Sequence, residues 1–272
     1  MKIVSFNVNS IRQRLHQLYA VVDRYAPEFI GLQETKVQDH EFPVEEIQQA
    51  GYQVIYSGQK THYGVALLSR VPCLNACYGF PDDGDDEQKR FIGGEFVVEG
   101  ESWFIFNGYF PQGESRDHPQ KFPAKRRFYR DLSGFLDQFD LLRSRLVVMG
   151  DYNIAPEDSD IGIGEDNARR WLKTGKTSFL PEEREWFQVL LDKGLHDGFR
   201  LCHAREDNVF SWFDYRSRGF EREPRRGLRI DHLLVSDALR DQVIAAGVDY
   251  EIRAMPKPSD HAPAWIELAG RS

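Results

Sequence analysis

The sequence has few cysteines and no hydrophobic run of membrane-spanning length. Only 3 of its 272 residues are cysteine, and the spacing of Cys73 and Cys77 is not that of a CxxC motif. A disulfide framework is therefore not expected, and the predicted environment is a reducing one, the cytoplasm. No apolar stretch approaches the roughly 20 residues of a membrane helix, so no membrane association is expected.

Zinc-binding patterns are also missing, since neither CxxC…HxxxH nor HExxH occurs. Basic residues are fewer than acidic ones: 35 Lys and Arg and 43 Asp and Glu give a net charge of −8. A chain with this balance repels phosphates on average. A polyanionic ligand would therefore need local basic patches and a metal ion in order to bind.

Short apolar runs typical of buried strands recur along the chain. They are Ile3–Asn7, Phe29–Gln33, Gln53–Tyr56, Val65–Leu68, Phe91–Val98, Trp103–Asn107, Leu146–Met149, Val209–Phe213, Leu228–Val235 and Ala264–Leu268. Helical patterns lie between them at Ile11–Tyr25, Lys125–Phe139 and Glu182–Leu191. Strict alternation of strand and helix is absent, and no Gly/Ser/Pro-rich linker divides the chain. The sequence therefore predicts one α/β domain over residues 1–272, with mixed sheets.

Polar side chains gather where these apolar runs end. Asn7 and Glu34 follow the first two runs, Asn107 ends a third, and Asp151 and Asn153 follow a fourth. Taken singly, such residues are more often turn formers or helix caps than functional groups. Ligand sites in α/β folds nevertheless lie beyond strand ends, so the repeated pattern indicates a site there.

Asp231 is harder to explain as a turn residue, because it lies inside the apolar run Leu228–Val235. A buried carboxylate needs a partner, and His261, next to Asp260, is a candidate. Carboxylates and amides with one imidazole and no thiolate favour Mg²⁺ or Mn²⁺ over zinc. An acidic Mg²⁺ site with an Asp–His pair suits phosphodiester hydrolysis, in which the metal neutralises charge on the phosphoryl group.

Six segments, in order along the chain, resemble the motifs of the exonuclease III family, part of the endonuclease/exonuclease/phosphatase superfamily. They are Phe6–Asn9, Leu32–Lys36, Asn107–Pro111, Gly150–Asn153, Gly227–Asp231 and Ser259–His261. The resemblance implies a four-layer α/β sandwich of the DNase I type, with two packed mixed sheets flanked by helices. It also implies a Mg²⁺-dependent DNA-repair nuclease, with Mn²⁺ as a substitute. Such enzymes cut duplex DNA 5′ of abasic sites, remove 3′-blocking groups and degrade 3′ ends.

The resemblance further implies roles for individual residues. Asp151 would activate the water or protonate the leaving oxygen, Asn153 would orient the water or phosphate, and Tyr109 would hydrogen-bond the phosphate. Asp231 would orient His261 against the scissile phosphate. Whether Asp151 or His261 handles the proton of the nucleophile stays open, as does the number of metal ions. The residues at or beside the metal would be Asn7, Glu34, Asp151, Asn153, Asp260 and His261.

Two basic segments are candidates for contact with DNA. Residues 116–130 contain six Lys or Arg and one Asp, and residues 216–229 contain six Arg and two Glu. A basic run alone is more often a solvated surface, but two such runs beside aromatics favour phosphate contact. We expect them on either side of the active-site cleft. The resemblance places Trp212 and Phe213 against an abasic sugar, although as strand residues they fit a core equally well. The expected DNA contacts are Arg90, Gln112, Lys121, Arg126, Arg127, Trp212, Phe213 and Arg216.

Two other functions fit part of the sequence. One is a phosphoesterase of the same superfamily that acts on an inositol phosphate or a sphingolipid headgroup. The other is a non-catalytic DNA-binding or redox-regulatory protein. The basic and aromatic segments argue against the first, and the joint presence of Glu34, Asp151, Asp231 and His261 argues against the second. No feature demands a partner chain, so a monomer is expected.

Overall fold

The computed structural model describes residues 1–84, 87–203 and 208–270. Its strands are β1 (Lys2–Asn7), β2 (Phe29–Gln33), β3 (Gln53–Ser57), β4 (Val65–Ser69), β5 (Cys73–Tyr78), β6 (Phe91–Val98), β7 (Glu101–Tyr109), β8 (Arg145–Asp151), β9 (Leu195–Asp197), β10 (Asp231–Ser236), β11 (Val243–Val248) and β12 (Ala264–Leu268). Its α-helices are α1 (Ile11–Tyr25), α2 (Val44–Gln49), α3 (Lys121–Leu136), α4 (Glu165–Thr174), α5 (Pro181–Asp192), α6 (Gly198–Cys202) and α7 (Tyr250–Arg253).

The strands form two six-stranded sheets. The first has the order β11-β12-β1-β2-β4-β3, and the second has the order β5-β6-β7-β8-β10-β9. Each sheet contains one parallel pair, β1 with β2 and β7 with β8, while the other pairings given for the described strands are antiparallel. The prediction of mixed sheets is therefore confirmed.

Side chains of the central strands alternate between the two faces of each sheet, and each face packs against a different layer. On β8, Val147 and Met149 enter the core between the two sheets, whereas Leu146 and Val148 pack outward beneath the helices. The outward face of the second sheet is covered by α3 and α5, and that of the first sheet by α1 and α2. The result is helix, sheet, sheet and helix, so the predicted four-layer sandwich is confirmed.

A buried polar bridge joins the two sheets below the strand ends. The side chain of Asn107 on β7 donates to the carbonyls of Leu32 and Ala66, each at 2.9 Å. Gln33 donates in turn to Asn107 Oδ1 at 2.6 Å. Gly31 permits this close approach, because a Cβ there would lie 2.8 Å from Asn107 Oδ1. Asn107 is thus a structural residue that fixes one sheet against the other.

Several element boundaries differ from the sequence expectation. α3 spans Lys121–Leu136 rather than Lys125–Phe139, because Pro123 fits in the first turn, where no helical N–H bond is lost. The strand expected at Val209–Phe213 is wrong, since only Trp212 makes isolated bridges there. The expected run Leu228–Val235 becomes a strand only from Asp231 onward.

Among the described elements, the sequence analysis missed β5, β9, β11, α2, α4, α6 and α7. Within the ranges described, no helix combines the length and apolar character needed to span a bilayer.

Candidate active site

The site forms where the parallel pairs of both sheets end. Asn7 at the end of β1 lies opposite Gln33 at the end of β2, and Glu34 follows directly. In the other sheet, Tyr109 ends β7 opposite Asp151, which ends β8. Because the sheets are packed face to face, these carboxyl ends meet at one edge of the sandwich. This is the location at which α/β folds present ligand-binding residues.

Two antiparallel neighbours complete the site. Asp231 begins β10 opposite Asp151, and His261 precedes β12, the partner of β1. His261 Nδ1 lies 2.8 Å from Asp231 Oδ2, and His261 Nε2 lies 3.7 Å from Asp151 Oδ2. All three side chains are buried. The structure therefore contains the Asp231–His261 pair that the sequence suggested, with the second imidazole nitrogen turned toward Asp151.

Glu34, Asp151 and His261 form a possible metal-binding group, because one ligand atom from each lies within 4.8 Å of the others. Asn7 does not add its oxygen to this group. Its amide nitrogen donates to Glu34 Oε1 at 2.9 Å and to Asp151 Oδ2 at 3.0 Å, while its oxygen accepts the N–H of Asn9. Asn7 thus holds two carboxylates together, and its role as a metal ligand stays a prediction.

Asn153 and Asp260 also lie beside this group rather than within it. The backbone N–H of Asn153 donates to Asp151 Oδ1 at 3.0 Å, and its side-chain nitrogen donates to the carbonyl of Phe110 at 2.9 Å. Asp260 accepts hydrogen bonds from Asn9 Nδ2 at 2.9 Å and from Trp212 Nε1 at 3.1 Å. Asp260 therefore connects the acidic group to the aromatic residue that was expected to contact DNA.

Burial and crowding of charge perturb the site electrostatically. Burial raises the pKa of Asp151 to about 7; His261 opposes this effect, while Asp231 and Glu34 add to it. Burial alone would lower the pKa of His261, but Asp231 and Asp151 outweigh it and raise that pKa to about 10. Burial and the nearby Glu34 raise the pKa of Tyr109 well above its usual value, so its phenol is an O–H donor. These are the perturbations expected of functional groups.

Two side chains that the sequence did not single out also belong to the site. Lys36 Nζ lies 2.8 Å from Glu34 Oε2 and donates to Asn9 Oδ1. Its position within the segment Leu32–Lys36 was the available signal. Tyr63 lies against the Arg90 guanidinium, 4.3 Å from carbon Cζ to ring centroid. No pattern around Tyr63 pointed to the site.

Arg90 packs into the site wall. Its guanidinium carbon lies 4.6 Å from the centroid of the Tyr109 ring, and its Nη1 donates to the Tyr109 carbonyl at 3.0 Å. Arg90 thereby holds Tyr109 in place, whatever contact it also makes with a substrate.

The other expected DNA contacts lie on two surfaces. Trp212 and Arg216 line a cavity of about 380 Å³ together with further cationic side chains. Lys121, Arg126 and Arg127 are exposed on α3, and Gln112 is exposed just before it. The additional cationic residues of the cavity are Arg170, Lys176, Arg222 and Arg226.

Three residues of the basic and aromatic segments are buried instead. The expected contact of Phe213 with DNA is wrong for this conformation, because Phe213 is 0% exposed and packs edge-on against Phe220 and Tyr250. Lys125 and Arg229 are also buried and form ion pairs inside the protein. The exposed charge of both segments is therefore smaller than their sequences indicate.

Comparison with known proteins connects this geometry to a group of enzymes. The profile of the Endonuclease/Exonuclease/phosphatase family matches residues 4–261. The chain is 52% identical over 268 residues to Exodeoxyribonuclease III of Haemophilus influenzae, covering 98% of this chain and 100% of that protein.

Solved structures with the same fold include the 3′ phosphatase NExo from Neisseria, bound to a product DNA hairpin. That structure has a TM-score of 0.89 and 38% identity, covering 99% of this chain and 100% of that one. An AP endonuclease from Archaeoglobus fulgidus has a TM-score of 0.88 and 30% identity, covering 98% and 99%.

Proposed function

The chain belongs to the Endonuclease/Exonuclease/phosphatase family and is a DNA-repair nuclease, and on this premise we propose how its site works. We propose that it hydrolyses phosphodiesters of duplex DNA with a bound Mg²⁺, for which Mn²⁺ can substitute. It incises 5′ of abasic sites, removes 3′-blocking groups and degrades 3′ ends in the 3′-to-5′ direction. It acts as a monomer. The observation that carries this proposal is the convergence of Glu34, Asp151 and the Asp231–His261 pair at one edge of the sandwich.

The donor set fits a hard divalent cation. Glu34 and Asp151 offer carboxylate oxygens, and no thiolate is present in the group. His261 lies beside these oxygens and, as an imidazolium, faces the phosphate rather than the metal. Negative charge also exceeds positive charge here, since Asp231 adds a third carboxylate. A bound Mg²⁺ supplies charge neutralisation to the phosphoryl group during hydrolysis. The finer ligand set, and whether one or two ions bind, are open in this proposal.

Three side chains are arranged to stabilise a phosphate. Asp231 accepts the Nδ1–H of His261 and thereby directs Nε2 into the site. The imidazolium that the neighbouring carboxylates favour places a positive charge where the phosphate anion would lie. Tyr109 offers a phenolic O–H from the end of β7, and Asn153 offers its carboxamide from the segment after β8. Such fixed donors stabilise charge that develops in the transition state.

Asp151 is the group we assign to proton transfer. His261 faces a carboxylate at each nitrogen, and a protonated imidazole cannot accept a further proton. Asp151 is buried, and its raised pKa makes it a better proton acceptor than an ordinary carboxylate. It would take the proton of the attacking water or return one to the leaving oxygen. This assignment chooses between the two alternatives that the sequence left open.

The surroundings favour DNA over a small headgroup substrate. Exposed cationic side chains lie on two surfaces, Arg126 and Arg127 on α3 and Arg216 beside Trp212, and we infer that these surfaces flank the site. A headgroup would need only the phosphate site, whereas a duplex extends over both surfaces. Trp212 lies at the rim of a cavity and is tied to Asp260, so it can pack against a sugar that lacks a base.

Two labelled duplexes test the proposal, one with a central abasic-site analogue and one intact with a recessed 3′ end. Each is incubated with Mg²⁺, with EDTA, and with the Asp151→Asn variant. The matched control is Asp241→Asn, an exposed acid that follows β10 at the opposite end of the sandwich. We expect Mg²⁺-dependent incision 5′ of the abasic site and a 3′ ladder on the intact duplex. Both should disappear in Asp151→Asn and persist in the control.

Absence of cleavage of either duplex by folded, Mg²⁺-loaded protein would contradict the proposal. Hydrolysis of an inositol phosphate or sphingomyelin headgroup under the same conditions would then identify the alternative substrate. DNA binding without any cleavage would indicate the non-catalytic alternative.

A further inference from the structure

Helix α3 carries a buried cation directly behind the candidate active site. Lys125 is 0% exposed, and its ammonium group has three hydrogen-bond acceptors. They are Glu183 Oε1 on α5 at 2.5 Å, the Asn153 carbonyl at 2.8 Å and the Gln112 carbonyl at 3.3 Å. An ammonium group has three N–H donors, so every donor is used inside the protein.

Glu183 is held as firmly as its partner. Its side chain is also 0% exposed, and Oε2 accepts the backbone N–H groups of Ser178 at 2.7 Å and Leu180 at 2.8 Å. The pair therefore bridges α3, the start of α5 and the segment that follows β8. Buried ion pairs of this kind are seldom the most stable solution, since apolar residues of similar volume often serve as well. The arrangement thus calls for another explanation than stability.

A second side chain of α3 holds the neighbouring peptide. Tyr129 lies one helical turn after Lys125, and its hydroxyl donates to the Tyr152 carbonyl at 2.7 Å. Two residues of one helix face thus bind two successive carbonyls, those of Tyr152 and Asn153. Asn153 has a positive φ of 52°, a conformation that asparagine adopts more readily than most L-residues and that these two hydrogen bonds help to hold.

The peptides that α3 holds carry the reacting groups. The N–H of Asn153 donates to Asp151 Oδ1, and its side chain is fixed on the Phe110 carbonyl. The Asn153 N–H shares a peptide with the Tyr152 carbonyl, so the hydrogen bond from Tyr129 fixes the donor to Asp151 Oδ1. The hydrogen bond from Lys125 fixes the next peptide, and the two together set the direction of the Asn153 side chain. A displacement of about 1 Å at such groups can lower a rate by about 100-fold.

We propose that Lys125 and Tyr129 are positioning residues for Asp151 and Asn153, with Glu183 anchoring Lys125. They act through the Tyr152 and Asn153 carbonyls and do not touch the substrate themselves. The expected loss of activity in variants of these residues rests on the proposed function. The expected loosening of the Asn153 peptide rests on the structure alone.

The decisive variant is the double substitution Lys125→Met and Glu183→Leu, which removes both buried charges together. Removal of one partner alone would leave an uncompensated charge and could unfold the protein. We expect kcat on abasic duplex to fall about 10- to 100-fold with KM changed less than about threefold. Tyr129→Phe removes a single hydroxyl, folds without a buried charge, and should lower kcat about 3- to 10-fold.

The matched control is Lys193→Met with Asp137→Leu. This ion pair joins the ends of the same two helices, α3 and α5, but it is exposed at the surface. It should leave kcat and KM unchanged. A loss of kcat equal to that of the buried double variant would mean that helix docking in general, rather than the Asn153 carbonyl, is responsible, and it would overturn the proposal.

A readout without substrate separates this proposal from the proposed function. Hydrogen exchange of the Asn153 backbone amide, followed by NMR, should accelerate at least about tenfold in the buried double variant and not in the control. Faster exchange in a protein that cuts no DNA would support the positioning role and refute the nuclease mechanism. Unchanged exchange and unchanged kcat in both buried variants would refute the positioning role, whatever the wild-type activity.

Discussion

Two buried acidic clusters border strand β10, and they differ in how their charge is balanced. The site cluster consists of Glu34, Asp151, Asp231 and His261, three carboxylates with one imidazole. The paired cluster consists of Asp160, Asp197, Arg200, Arg229 and His232, two carboxylates with two guanidinium groups and one imidazole. Asp231 and His232 are adjacent on β10 and point to opposite faces, so one strand serves both clusters.

The difference in balance decides the state of each carboxylate. Burial alone would raise the pKa of Asp197, but Arg229 and His232 outweigh it and hold that pKa well below its usual range. Burial raises the pKa of Asp151 to about 7, because the opposing effect of His261 is smaller than that of burial and the acids Asp231 and Glu34 add to burial. Buried acids therefore occur in both the structural and the functional cluster. The functional cluster differs in that its negative charges are not fully balanced by positive ones.

Asp151→Asn should have the largest effect, and it should fall on activity alone. We expect cleavage of abasic duplex to fall about 10³- to 10⁴-fold, because a proton-transfer group is removed. The free energy of unfolding should change by less than about 1 kcal/mol, since one uncompensated charge is removed from a strained site. Single-turnover cleavage and urea unfolding measure the two quantities. A variant that unfolds more easily but still cuts DNA would mean that the site cluster stabilises the fold and does not catalyse cleavage.

Arg229→Met should have the opposite effect. Arg229 lies 2.7 Å from Asp160 Oδ1 through Nε and 2.7 Å from Asp197 Oδ2 through Nη2. Its removal leaves Asp197 without its guanidinium partner and Asp160 with Arg200 alone, so the free energy of unfolding should fall by about 3–5 kcal/mol. Arg143→Met, at an exposed pair with Asp140, is the control and should change it by less than about 0.5 kcal/mol. A decrease as small as that of the control would mean that the paired cluster is not a source of stability.

Acid should weaken the paired cluster selectively. The folded-state pKa of Asp197 is depressed, so its stabilisation is present above the unfolded-state value of about 4 and is lost as pH falls below it. In that acidic range the free energy of unfolding of the wild type should decrease by up to about 1.4 kcal/mol per pH unit because of this residue. Asp197→Asn should be less stable than the wild type at neutral pH. Its free energy of unfolding should also change less with pH in the acidic range. Parallel profiles from urea unfolding at several pH values would contradict this account.

The same contrast shows what the sequence could reveal. Polar residues at strand ends predicted the location of the site, because parallel strands of known direction bring their carboxyl ends together. Asp231 was recognised by its apolar neighbours, and Arg229 lies in the same apolar surroundings, between Leu228 and Ile230. The same reasoning would have found the buried arginine, but the local density of basic residues suggested a surface contact instead.

What could not be predicted depends on distant partners. Lys125 pairs with Glu183, 58 residues away, and Arg229 with Asp160, 69 residues away. Nothing near either residue in the sequence indicates which residue its partner is. The orientation of Phe213 was equally hidden, because its segment forms an isolated bridge rather than a strand and therefore has no alternation to fix its face.

Trp212→Ala tests how far the site cluster extends toward DNA. Trp212 reaches the cluster through its hydrogen bond to Asp260, and removal of its ring should lower the preference for abasic over intact duplex about 10-fold. Trp212→Phe keeps a ring and lacks only the N–H, so it should retain most of that preference. Competition between the two duplexes measures the ratio. Undiminished specificity in Trp212→Ala would rule out the aromatic pocket.

The smallest expected effect concerns exposed charges on α3. Replacing Arg126 and Arg127 with Ala should weaken DNA binding and reduce the slope of log K against log salt by about 0.9 for each phosphate that is no longer neutralised. Arg127 already pairs with Glu87 at 3.0 Å, but an exposed pair of this kind is weak and can yield to a phosphate. Arg143→Ala, just before β8 and so far from its carboxyl end, is the control and should leave the slope unchanged. An unchanged slope in the double variant would mean that the exposed face of α3 does not contact DNA. Lys125 on the buried face would then be the contribution of this helix to the site.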